Sequence, residues 1–170
     1  MIDRSTHLCL REFLLSIVLL SLPQAVIAVP NFNIGRYQTS TKKCSYTDSN
    51  QNTIACRELQ LNKRSASVVG VHFISAGKTK DSRKQLTFVT LTTQGTIPLL
   101  CNHGSCRMDD SPWKSAVSSV AEASFNSNGI ATGLPRSLHV SKGHCKLTNK
   151  ILSCIAHKPN GDKFKAEAQL

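Results

Sequence analysis

Two apolar, β-branched runs carry the clearest pattern in the chain: residues 67–75 (Ser-Val-Val-Gly-Val-His-Phe-Ile-Ser) and 85–93 (Gln-Leu-Thr-Phe-Val-Thr-Leu-Thr-Thr). Val69, Val71 and Phe73 alternate onto one face of the first, and Leu86 and Phe88 onto one face of the second, which predicts two half-buried strands. The basic stretch 76–84 between them reads as a loop. Residues 29–41 carry no sustained alternation and read as an irregular lead-in. Strand-formers Tyr46, Thr47, Thr53 and Ile54 flank the turn-rich stretch Asp48 to Asn52, which predicts a hairpin. Pro98 places the segment before Cys101 on an edge or starts its strand after the proline.

The pattern changes after residue 111. Ser111 is a suitable cap and Pro112 suits a first helical position. Trp113, Val117, Val120, Ala121, Ser124 and Phe125 follow at three- and four-residue steps, which predicts a helix near 112–125 ended by Asn126-Ser-Asn-Gly129. A short strand is expected around Leu138 to Val140.

At the C-terminal end, Asn149-Lys150 predicts a two-residue turn that sets Cys145 opposite Cys154. Pro159-Asn-Gly-Asp162 predicts a second hairpin. Pairing across Asn160-Gly161 sets Ile155 opposite Ala166 and His157 opposite Phe164. That register puts Ile151, Ile155, Phe164, Ala166 and Ala168 on the core face. Cys154 then joins Lys158, Lys163, Lys165 and Glu167 on the outer face. The expected fold class is α+β, mainly antiparallel β: about seven short strands in hairpins with one helix, in a single disulfide-braced domain.

The N-terminal pattern belongs to export rather than to fold. Residues 13–22 form an apolar run preceded by Arg4 and Arg11, and Val26 and Ala28 suit positions −3 and −1 of a signal-peptidase cut. The expected organisation is a secretory leader at 1–28 and a domain at 29–170, secreted or periplasmic. The run is short for a membrane span, and no later segment approaches one, so no stable span is expected after cleavage. The domain keeps Cys44, Cys56, Cys101, Cys106, Cys145 and Cys154, an even set that reads as a disulfide framework in an oxidising space. The expected bridges are local: Cys44–Cys56, Cys101–Cys106 and Cys145–Cys154. No metal is expected, because Cys101-Asn-His-Gly-Ser-Cys106 lacks a fourth ligand at a familiar spacing. No cofactor is expected.

Charge adds the functional expectation. The formal net charge is +11, and the charged residues of the leader cancel, so the excess belongs to the domain. Such a balance favours polyanions. The candidate anion-binding residues are Lys78, Lys80, Arg83 and Lys84 in one loop, and Lys158, Lys163 and Lys165 around the last turn. Aromatic residues make up only 5% of the chain, so base stacking and sequence-specific nucleic-acid recognition are not expected.

Enzyme signatures are scarce: there is no Gly-x-Ser-x-Gly, His-Glu-x-x-His, phosphate loop or Cys-x-x-Cys. Cys145-Lys-Leu-Thr-Asn149 is similar to a fragment of the lysine-containing motif of pancreatic ribonucleases. Lys150-Ile151 then follows where that family continues into Thr-Phe, and homology is rejected. The leading expectation is an exported, non-enzymatic binding module contacting a polyanion or another extracytoplasmic protein. The alternatives are a small secreted hydrolase, such as a nuclease using His139, His144 or His157, and an inhibitor presenting loop 101–106 or 76–84 to a protease.

Overall fold

A computed structural model describes residues 34–92, 99–108, 112–133 and 136–170. The expected leader and its cleavage site lie outside these residues, as does the capping Ser111. The described elements are β1 (Gly35–Ser40), β2 (Lys43–Thr47), β3 (Thr53–Ala55), β4 (Glu58–Lys63), β5 (Val68–Ala76), β6 (Arg83–Leu91), β7 (Leu100–Asn102), β8 (Gly104–Arg107), β9 (Trp113–Phe125), β10 (Arg136–His139), β11 (Lys142–Thr148), β12 (Ile151–His157) and β13 (Lys163–Gln169).

Three pairs of these strands are single strands interrupted by a bend. β1 passes into β2 through residues 41–42, β3 into β4 through 56–57, and β10 into β11 through 140–141. The antiparallel ladders then run β1/β2 to β3/β4, to β5, β6, β9, β10/β11, β12 and β13. β13 pairs back onto β2. The sheet therefore closes on itself as an up-and-down barrel of eight staves, with the β7–β8 hairpin attached beside β1 through a short parallel contact. Closure leaves most strand edges paired within the chain.

The inward positions are filled by side chains. Leu59, Leu61, Val69, Val71, Phe73, Leu86, Phe88, Val120, Leu152 and Phe164 are almost fully buried. Phe73 and Phe88 meet edge to face with ring centroids 5.9 Å apart. An eight-stranded barrel is just wide enough for such a filling. All three expected disulfides are formed, each joining neighbouring strands or the bend beside them.

The helix expected near 112–125 is instead β9, and no helix occurs among the described residues, so the α+β expectation is corrected to all-β. The cause is a β-bulge. Val89 pairs with Ser119 and Thr90 with Val117, leaving Ser118 as the extra residue. Trp113, Ser115 and Val117 alternate inward, and after the bulge Val120 takes the next inward place. The three-residue step from Val117 to Val120 imitated a helical period.

The last hairpin also departs from expectation. Lys158 N donates to Asp162 O, and Gly161 has φ of 91°, which makes a three-residue loop rather than a two-residue turn. Ile155 therefore pairs with Lys165 and Ala156 with Phe164. One step of register exchanges the faces of β12: Leu152, Cys154 and Ala156 point inward, and Ile151 and Ile155 point outward. The lead-in at 29–41 likewise contains β1 from Gly35 onward.

Candidate functional site

The corrected register assembles a basic surface on the outside of the barrel. Outward positions on β9, β11, β12 and β13 align in three rows. The first is Lys142, His157 and Lys163. The second is Ala116, His144, Ile155 and Lys165. The third is Lys114, Lys146, Ser153 and Glu167, continued by Ser45 of β2. Lys114 stands directly opposite Lys146, and His157 lies between two lysines. Like charges facing each other across strands are destabilising. Glu167 is the one carboxylate on these rows.

The surface is concave beside β2 and β3. A groove of about 560 Å³ there is lined by His144, Lys146, Ser153, Ile155, Lys165 and Glu167, together with Ser45, Thr47 and Thr53. Local desolvation, then Lys163, Lys142 and His144, hold the His157 imidazole below its ordinary pKa.

The candidate residues read from sequence fall in different places. Lys163 and Lys165 are on the basic face, both exposed. Lys158 is committed elsewhere: its ammonium is 3.3 Å from Asp162 Oδ2, donates to Ser49 O at 3.3 Å, and lies 4.8 Å from the Phe164 ring centroid. The Asp162 carboxyl is held below its usual range by hydrogen bonds from Asn160 and Lys158. Lys78 and Lys80 sit in the exposed turn between β5 and β6, while Arg83 and Lys84 belong to β6 itself. Sequence reading overlooked Lys114, Lys142 and Lys146, and named His144 only as a nuclease candidate. Its available signal was the alternation Lys142-Gly-His144-Cys-Lys146, which puts three basic side chains on one strand face.

A second concavity occupies one mouth of the barrel. It holds about 270 Å³ and is lined by Tyr46, Ile54, Lys84, Glu122, Ser124 and Arg136, with Asp48, Ser49 and Asn50 of the β2–β3 turn at its rim. Ser49 donates its backbone N–H and its hydroxyl to the Glu122 carboxylate, the latter at 2.7 Å. The buried Tyr46 hydroxyl is 3.0 Å from Ser75 Oγ, and burial raises its pKa.

The histidines do not gather at one centre. His103 occupies the β7–β8 turn and His139 is exposed on β10. His72 is buried on the outer side of β5 among Asn62, Gln85 and Thr87. His144 and His157 share the basic face. Among the described residues, no group of three or more His, Cys, Asp and Glu is placed to hold a metal ion. Comparison of the chain with family profiles, with curated proteins and with solved structures returns no match.

Proposed function

We propose that this protein is an exported, non-enzymatic binding module that takes up linear polyanions across the outer face of β9, β11, β12 and β13. The three disulfides support an oxidising, extracytoplasmic setting. Removal of the leader at 1–28 belongs to the proposal. The observation that carries it is the register that opposes Lys114 to Lys146 and sets His157 between Lys142 and Lys163. The opposition of Lys114 to Lys146 costs stability in the free protein, and a bound polyanion relieves the cost. No Phe, Tyr or Trp stands on the three rows, so the reading is of charge and spacing rather than of bases.

The test is binding of the protein to immobilised heparin and to neutral dextran. The charge-reversed variant K142E/K146E/K165E is expected to bind heparin about tenfold more weakly or worse. K78E/K80E, altered in the β5–β6 turn, is expected to lose much less. Equal losses in the two variants, or equal retention on dextran, would overturn the proposal.

A second reading rests on His144 and His157 sharing this face. Two imidazoles beside lysines are the groups that RNA cleavage by general acid–base catalysis requires. Incubation with RNA decides it: cleavage lost in both H144A and H157A would move the assignment to a nuclease.

A further inference from the structure

The barrel mouth brings three charged side chains, Lys84, Glu122 and Arg136, to one concavity. Lys84 shares the inward face of β6 with Leu86 and Phe88, and Glu122 shares that of β9 with Val120. Arg136 pairs directly with Glu122 and shares its face of β10 with Leu138, which packs against the core. Inward polar side chains toward the other end, Lys63, Thr90 and Ser115, each donate to a backbone carbonyl, whereas those at this mouth lie where the apolar filling stops. Lys84 and Arg136 approach from the strands on either side of β9. Both oxygens of the Glu122 carboxylate are engaged by Ser49. Among the described residues the ion pair is Lys158–Asp162, and neither Lys84 nor Arg136 takes part in one. The site therefore presents two cations with no carboxylate partner among the described residues, one anchored carboxylate and a phenol, all lining one small concavity. Mouths of β-barrels are common sites for small ligands.

We infer that this mouth binds a small hydroxylated anion, a carboxylate or phosphate monoester of sugar size. Its anionic group lies between Lys84 and Arg136. Its hydroxyls reach Glu122, Tyr46 and Ser124. The site is separate from the polyanion face, which lies on the outside of the barrel and uses different lysines.

The test is titration of the isotopically labelled protein with galacturonate, glucose 6-phosphate and glucose, followed through the backbone amides of Glu122 and Ser124. The two charged probes distinguish a carboxylate from a phosphate source. Saturable shifts are expected with at least one of them and none with glucose. Those shifts should persist in K142E/K146E/K165E and weaken about tenfold in K84A/R136A. Should the double variant not fold, the single K84Q and R136Q variants carry the same expectation. No saturable shift with either anion, an equal response to glucose, or undiminished binding in the Lys84 and Arg136 variants would overturn the inference.

Discussion

His72 shows at the residue scale how an ionisable group serves as packing. Its ring lies over Gly70, where an added Cβ would come within 2.9 Å of Nε2. Nε2 is 3.1 Å from Asn62 Nδ2, and Nδ1 is 2.9 Å from Thr87 Oγ1 and 2.8 Å from Gln85 Nε2. With Nδ1–H donating to Thr87 Oγ1, Nε2 accepts from Asn62 Nδ2, and a second proton on the ring would meet that amide N–H. Burial, then Arg64 and Arg36, lowers its pKa to about 4. A folded value below the unfolded one means the neutral ring supports the fold above the ordinary histidine pKa. That support is lost as pH falls from there toward about 4. The loss is roughly 3 kcal/mol at most. Urea unfolding across that window should show the decline, and His72→Gln should flatten it. Gly70→Ala should destabilise at neutral pH by displacing the imidazole. The sequence showed His72 as a strand residue but not its burial, because that depends on which residues β4 and β6 place beside it.

Hairpin turns decide the outcome at the scale of elements. The Asn149-Lys150 turn was legible: both residues have positive φ, 51° and 62°, and the turn sets Cys145 against Cys154 as expected. Lys150 tolerates that conformation at a cost that glycine does not bear. Lys150→Gly is therefore expected to raise stability by about 0.5 kcal/mol, read from the urea midpoint. The Pro159-Asn-Gly-Asp162 turn was legible as a turn but not in its length, since Asn-Gly serves a two-residue turn and a three-residue loop equally well. That one residue moved Ile155 out of the core and brought Cys154 in. β9 failed for a related reason. Its bulge at Ser118 joins two stretches of period two into a sequence whose inward residues step by three. Small Ser and Ala residues between them offered no β-branched signal to contradict a helix.

For the whole molecule, closure of the meander sorts the connections. The β2–β3, β5–β6 and β12–β13 turns share one end of the barrel, and the β4–β5 and β11–β12 turns the other. The two basic loops read from sequence thus come to the same end, yet they do not form one patch. Lys84 turns into the mouth, Lys158 ties two turns together, and Lys163 and Lys165 join a face whose other lysines come from β9 and β11. Composition announced a basic, disulfide-bridged β domain. It did not announce a barrel, because closure depends on β13 pairing with β2, an interaction between strands far apart in the chain. The basic face depends on the same long-range pairings plus the register of β12. That is why its lysines looked like scattered, solvated residues in the sequence.

The salt dependence of polyanion binding tests the central claim most directly. The probe is single-stranded DNA, a linear polyanion, and the readout is the slope of log affinity against log salt concentration. Five lysines engaged on the outer face predict a slope of about −3 to −4. Removing three of them in K142E/K146E/K165E predicts a slope of about −1 to −2. A slope near zero in the unaltered protein, or the same slope in both proteins, would contradict the account.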